Sequence, residues 1–337
     1  MAPGTKRPKV AIIGTGGTIS FTGRDSLDVW EYMDFGRRQT VAEILARFPE
    51  VGEAAEIVAI NYAQISSSGV RPEDWLALNE RIHEIAENDA TLDGIVVTHG
   101  TATLEETAYF LNLTLKVALP VVVVGAQRPS TAMATDAGVN LLRAVQVAGS
   151  EEARGLGVLV LLNEEIQAAR EVTKTSTFRL ETFRSPDLGM LGYADADGRV
   201  AIYRRPARRH APDTEFDVRS TASLPRVDIV YSYAGADGVA IEAFAAAGAE
   251  AIVVAAVAPG LPTPAQAEAL AAARDAGILQ VISTRAGSGR VLRRQAMAAE
   301  GSIAADNLNP QKARVLTMLA LTRSRDPDEI QRFFDTY

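Results

Sequence analysis

Short runs of β-branched and aliphatic residues recur along the chain, each ending in Gly, Thr or Ser and each followed by a helix-like stretch. Nothing else in the sequence narrows the possible folds as much. The clearest runs are residues 10–13, 57–60, 94–98, 121–124 and 158–162, then 228–232, 251–256 and 279–283. They are continuous rather than alternating, the pattern of strands buried on both faces of a parallel sheet. Amphipathic segments lie between them. In residues 71–87 the apolar Leu78, Ile82 and Ile85 fall at helical spacing, and Pro72 suits a first turn. Thr103-Leu104-Glu105-Glu106 has the spacing of a capping box opening a helix through Leu115. Strand-then-helix alternation predicts a doubly wound α/β architecture.

Residues 204–226 interrupt the rhythm, being rich in Arg, Pro, Asp and Ser without apolar periodicity. They are expected to link an N-terminal domain of residues 1–203 to a C-terminal domain of residues 227–337. At 337 residues the chain suits two domains, and its 47% hydrophobic content can supply both cores. The C-terminal part ends in two amphipathic helices, roughly 310–322 and 328–334. The leucines Leu316, Leu319 and Leu321 could bury a face within their own domain or across an interface.

Composition also excludes chemistry. With no cysteine, disulfides, thiolate nucleophiles and Cys-ligated zinc are ruled out. The three histidines, His83, His99 and His210, form no metal-binding spacing, so neither a metal nor a cofactor is expected. A net charge of −8 disfavours nucleic acid as a partner, since counterion replacement needs clustered Lys and Arg. No run approaches the ~18 apolar residues of a membrane span. The opening Met1 to Lys9 is polar, without the apolar stretch of a signal peptide, and a cytoplasmic location is expected.

Three loops carry chemistry. Gly14-Thr15-Gly16-Gly17-Thr18 directly follows a strand, where α/β proteins place ligands. It lacks the Gly-Lys-Ser/Thr of a phosphate loop, and Ile19 stands where a dinucleotide fingerprint needs glycine. A glycine turn with a capping threonine is the plain alternative. Thr98-His99-Gly100-Thr101-Ala102-Thr103 again displays threonines at a strand end, and Lys174 sits among hydroxyl residues in Thr173-Lys174-Thr175-Ser176. A threonine hydroxyl needs a base to become nucleophilic. A desolvated lysine can serve as that base, although a lone lysine is more often a solvated charge.

Together these residues resemble the bacterial-type asparaginase/glutaminase family. The resemblance covers nearly the whole chain through five ordered motifs: residues 14–19; 97–103 with Glu105-Glu106-Thr107; 125–130 with Asp136 and Asn140; 172–175; and 308–316. It implies an α/β fold with a larger N-terminal doubly wound sheet and a smaller C-terminal α/β domain, and hydrolysis of a small side-chain amide by a homotetramer built from intimate dimers, with sites near the dimer interface. By motif, Thr18 is the acylated nucleophile and Tyr32 its activating hydroxyl, while Thr101 and Lys174 form a second hydroxyl–lysine arm. Ser67 and Ser68 align with the loop that binds the substrate α-carboxylate. Family members usually carry aspartate, which grips the substrate α-ammonium, where this chain has Ala102. Acidic groups are thinned elsewhere too. The family's asparagine-bearing loop aligns with residues 258–261 and its glutamate region with residues 292–295, both contributed by a neighbouring subunit. Losing one charge-assisted hydrogen bond costs about 1.5–3 kcal/mol in binding an amino-acid substrate. L-Asparagine hydrolysis is therefore the leading expectation, and a small ω-amide without a free α-ammonium the alternative. A catalytically weak ligand-binding homologue and an amide-donor subunit of a tRNA-dependent amidotransferase remain as readings from other classes.

Overall fold

The computed structural model describes residues 7–337, which divide into two units, the first through Arg219 and the second from Ser220 to Tyr337. Most of the polar opening, residues 1–6, lies outside the described residues. Residues 203–226 contain neither helix nor strand, and the division falls within them.

The first unit is built on strands β1 (Lys9–Gly16), β2 (Glu56–Ile65), β3 (Gly94–Thr98), β4 (Val121–Val124) and β5 (Val158–Leu162). These run parallel in the order β2-β1-β3-β4-β5. Its helices are α1 (Tyr32–Phe35), α2 (Val41–Arg47), α3 (Glu50–Ala54), α4 (Pro72–Asn88), α5 (Leu104–Thr114) and α6 (Ala137–Ala148). On one face Val10, Ile12, Val96, Val122 and Val124 pack with Val41 and Ile44 of α2 and Leu141 and Val145 of α6. The alternate residues Ala11, Ile13, Ile95, Val97 and Val123 are buried as completely, and α5 packs on β4 and β5 from that side. Two covered faces explain why these strands read as unbroken apolar runs. Edge strand β2 is only half-buried along its length.

The parallel sheet does not end at β5. A two-residue turn, Asn163-Glu164, has positive φ at both positions (53° and 62°) and sends the chain back antiparallel. Strands β6 (Glu165–Ala168), β9 (Gly192–Ala194) and β10 (Val200–Ile202) extend the sheet to eight strands, and β7 (Thr173–Lys174) pairs with β8 (Phe183–Arg184) in a separate ribbon. The sheet is thus mixed, with a doubly wound parallel body.

The second unit is a four-stranded parallel sheet in chain order: β11 (Val227–Tyr231), β12 (Ala251–Ala256), β13 (Leu279–Thr284) and β14 (Ile303–Ala304). Helices α7 (Val239–Ala246), α8 (Pro264–Asp275), α9 (Gln295–Ala299), α10 (Pro310–Leu321) and α11 (Pro327–Thr336) surround it. Val230, Ile252, Val254 and Ile282 pack with Ile241 of α7 and Leu270 of α8, and α10 lies on β11, β12 and β13. Leu316, Leu319 and Leu321 are buried inside this unit, which settles the choice their sequence left open. Asn309 opens α10, its side chain accepting from Lys312 N at 3.0 Å, with Pro310 in the first turn.

One local expectation fails. Thr103 is the N-cap of α5, but its side chain makes no capping bond. Its hydroxyl instead donates to Ser67 O at 2.7 Å. The bond to the loop after β2 turns the hydroxyl toward Ser67, and its oxygen accepts no backbone N–H of the first turn of α5.

Candidate active site

The strand order places β2 on one side of β1 and β3 on the other, so the chain reverses its winding between β1 and β3. The carboxyl ends of such a pair form the crevice where open α/β sheets bind ligands. The two threonine-bearing loops leave those two ends. Gly14 pairs with Thr98 in register, and Thr15 Oγ1 donates to Thr98 O at 2.7 Å, tying the strand ends together.

Glycine lets the loops touch. Gly17 has φ of 84°, and a Cβ there would meet Gly100 N at 2.3 Å. Gly16, at φ 109°, faces Ile65 O, which a Cβ would approach to 2.8 Å. A side chain at Gly17 would push the two loops apart, and with them Thr18 and Thr101, the residues that follow Gly17 and Gly100, while one at Gly16 would force the end of β1 away from the end of β2.

Thr18, half-buried, shares a 2.8 Å hydrogen bond with Tyr32 Oη. Tyr32 arrives on α1 after a turn organised by Asp28, whose carboxylate accepts from Arg24 N, Arg24 Nε and Glu31 N at 3.1 Å. Its ring is buried against Phe21, edge to face at 5.5 Å between centroids, while its neighbours Trp30, Met33 and Phe35 are exposed. Burial raises the Tyr32 phenol, the hydrogen bond to Thr18 offsets part of that and Asp136 and Asp28 add to it, so the net shift is upward and the phenol keeps its proton at neutral pH.

The second arm forms on β3, β4 and β7. Lys174 Nζ donates to Thr101 Oγ1 at 2.7 Å and to Gln127 Oε1 at 3.3 Å. Thr101 Oγ1 donates to Gln127 Oε1 at 3.2 Å. Burial lowers the Lys174 ammonium from the ordinary lysine value. Its Nζ has hydrogen bonds to neutral oxygens only, so no carboxylate offsets that desolvation. Glu105 of α5 holds the short ribbon in place, its Oε1 accepting from Thr173 Oγ1 at 3.0 Å and Lys174 N at 3.3 Å. The turn carrying Gln127 is held by Asp136, which accepts from Gln127 N and Arg128 N at 2.9 Å each. Asn140 Nδ2 braces it further, donating to Gly125 O at 3.0 Å.

Ser67 joins this group directly, its Oγ accepting from Ala102 N at 3.2 Å. Ser68 does not; it is exposed and its hydroxyl bonds Ser66 Oγ at 3.1 Å. Ala102 is exposed and presents only a methyl group. Gln127 is the residue that reading the loops singly misses. It stands in the 125–130 motif, and that motif is the only signal of its role. Among the described residues no group of three or more His, Asp or Glu side chains could hold a metal ion, and no helix is long and apolar enough to cross a membrane. In the second unit, Arg293 of the aligned glutamate region pairs with Asp328 at 2.8 Å.

Comparison with known proteins agrees over the whole chain. The family profile for the asparaginase N-terminal domain matches residues 9–208, and that for the glutaminase/asparaginase C-terminal domain matches residues 226–334. The chain is 41% identical over 336 residues to a glutaminase-asparaginase of Pseudomonas fluorescens biotype A, covering 99% of this chain and 91% of that one. It is 41% identical to L-asparaginase 2 of Bacillus subtilis, covering 98% of this chain and 87% of that one. A crystal structure of a probable cytoplasmic L-asparaginase from Campylobacter jejuni superposes with a TM-score of 0.93 at 40% identity, covering 98% of this chain and 100% of the other. The chain belongs to the asparaginase/glutaminase family.

Proposed function

We infer that this protein is an asparaginase-type amidohydrolase that cleaves the side-chain amide of a small substrate through an acyl-enzyme on Thr18. The observation that carries the reading is the pairing of two hydroxyl arms, Thr18–Tyr32 and Thr101–Lys174, on two loops in backbone contact. Thr18 Oγ1 attacks the amide carbon, and its proton passes by way of the Tyr32 hydroxyl to the departing nitrogen, which leaves as ammonia. The Thr101–Lys174 arm then takes a proton from water as its oxygen attacks the ester carbon, the bond to Thr18 Oγ1 breaks, and that proton is returned to Thr18 Oγ1, freeing the acid, which ionises to the carboxylate. Water supplies the atoms exchanged, and the two steps are of the base-assisted nucleophilic kind. Ser67, beside Ala102, is assigned to the substrate carboxylate, with Ser68 at the rim.

L-Asparagine or a close analogue is the proposed substrate, with a small ω-amide lacking the α-ammonium favoured by the methyl group at Ala102. A homotetramer is proposed as the working assembly. A cytoplasmic location is proposed with it, the compartment named for the Campylobacter protein. Thr18→Ala removes one hydroxyl and one methyl from a half-buried loop position. Ammonia release should vanish while circular dichroism and thermal unfolding stay close to native. Mass spectrometry of a quenched native reaction should find the acyl group on the peptide containing Thr18. Full activity in Thr18→Ala, or acyl on another peptide, would remove Thr18 from this role.

A further inference from the structure

Gln127 closes a triangle with the two members of the second arm, at 3.2 Å from Thr101 Oγ1 and 3.3 Å from Lys174 Nζ. The identities of its neighbours fix which way the amide faces. Arg179 O can only accept, and it lies 3.1 Å from Gln127 Nε2. Lys174 Nζ, when charged, can only donate. The amide nitrogen therefore points to Arg179 and the carbonyl oxygen into the triangle, with no second orientation that satisfies both partners.

That polarity determines the rest. Lys174 donates to Thr101 Oγ1 and to Gln127 Oε1. Thr101 has one proton, and with its lone pair facing Lys174 it spends that proton on Gln127. Gln127 is buried, so water does not readily replace it there. We propose that Gln127 is a positioning residue for this pair, its side-chain carbonyl holding the Thr101 proton away from Lys174 and sharing the lysine's N–H groups. The proposal rests on the reading of Thr101–Lys174 as the proton-transfer arm. In a family-type site Lys174 must be neutral to accept a proton, and Gln127 opposes that by stabilising the ammonium, against the desolvation that favours the neutral amine.

The other charged groups around the ribbon are already committed. Glu105 of α5 faces the Lys174 backbone rather than its ammonium. Asp136 at the start of α6 is turned to the backbone N–H groups of Gln127 and Arg128, and Arg128 donates to Ala134 O at 2.7 Å. Arg179 meets the triangle through its carbonyl, and Arg184 on β8 pairs with Glu181 at 2.5 Å. Among the described residues, residue 127 is thus the one polar side chain besides Thr101 that bonds Nζ.

Two substitutions of similar length move the balance in opposite directions. Gln127→Met removes the acceptor and withdraws support from the charged lysine. The rising limb of the pH dependence of kcat should move down by about one pH unit, the scale of one hydrogen bond to a charged group. Gln127→Glu places an anion beside the ammonium and should move the same limb up by roughly 1–3 units, lowering kcat at neutral pH. In both, KM should change much less than kcat, because residue 127 acts through Lys174. Lys174→Met, measured alongside, tests the arm itself and should lower kcat by about 10²–10⁴. If Lys174→Met is inactive while both limbs stay at the native pH, or move the same way, the arm stands and the role of Gln127 is overturned. If Lys174→Met is fully active, the arm and the proposal fail together. Either variant at residue 127 suffices should the other not fold, because each carries its own sign.

Discussion

A methyl group stands at position 102, exposed at the mouth of the candidate site, and its consequences can be measured one residue at a time. The Ala102 amide donates to Ser67 Oγ, so the backbone is fixed independently of the side chain. A carboxylate placed there would lie just before the first turn of α5, where the helix N-terminus favours negative charge. Ala102→Asp should therefore leave stability nearly unchanged. If the subsite lacks a carboxylate for an α-ammonium, the variant should raise kcat/KM for L-asparagine by about one order of magnitude, the lower end of a charge-assisted hydrogen bond. Succinamate and N-acetyl-asparagine, which carry no free ammonium, should gain nothing. L-Glutamine belongs in the same panel, since relatives at equal identity are named for both activities. Efficient native hydrolysis of L-asparagine, unimproved by the aspartate, would mean that the ammonium is held by other groups. At this scale the sequence points to Thr18 and Thr101 as candidates because each stands in a short motif after a strand, and to Lys174 because it lies among hydroxyl residues. It does not reveal Gln127, whose role depends on two partners 26 and 47 residues away. Nor does it distinguish Ser67 from Ser68, adjacent hydroxyls of which one reaches the neighbouring loop and the other faces solvent.

Elements carry the loops, and their legibility follows from how they are buried. The central strands were recoverable because two covered faces force continuous apolar runs. Strands β6 to β10 are two to four residues long and are held by pairing to existing neighbours, so they leave little periodic trace. The helix start at Thr103 is where the sequence put it, but the capping bond is not made, because the hydroxyl is turned toward Ser67 O, a partner distant in sequence. A buried chain of hydrogen bonds joins α4, α5 and the loop after β3. Trp75 Nε1 donates to Thr107 Oγ1 at 2.9 Å, and Thr107 Oγ1 lies 3.0 Å from His99 Nε2. His99 Nδ1 lies 2.8 Å from Gly100 O, an acceptor, so Nδ1 bears the proton and Nε2 receives one from Thr107. The imidazole is thus neutral, and burial lowers its affinity for a second proton. Below the ordinary histidine value of ~6.5 the unfolded chain binds that proton and the native state resists it. Stability from this group is therefore complete above that value and lost as pH falls toward the native-state value. The loss is at most about 1.4 kcal/mol per pH unit. His99→Gln should show a shallower fall of Tm between pH 7 and pH 5 than the native protein, even if its Tm at pH 7 is lower. Parallel pH dependences would mean that His99 does not contribute to acid sensitivity.

At the scale of the molecule, the question is whether one chain suffices. The leucines of α10 are consumed by the second unit's own core, so they are not available to join copies. That unit still exposes Tyr231, Tyr233, Val239, Leu261 and Leu292, each between 44% and 65% of its surface. The family resemblance places the loop at residues 258–261 of one subunit near the site of another, and it favours a tetramer. Light scattering should then give a mass near four times the 35.9 kDa chain, and activity per chain should fall where dilution breaks the assembly. Complementation tests the shared site more sharply. Leu261 is 44% exposed, so Leu261→Arg should leave the second unit folded while placing a large cation where a neighbour's substrate would bind. Thr18→Ala disables a chain's own nucleophile. Each variant alone should be inactive. When the two are dissociated, mixed and reassembled, a two-fold dimer of unlike chains holds one site with both defects and one with neither, so about a quarter of native activity should return. No recovery on mixing, together with native activity in Leu261→Arg, would place the loop away from any active site. A stable, fully active monomer would show that each chain completes its site alone.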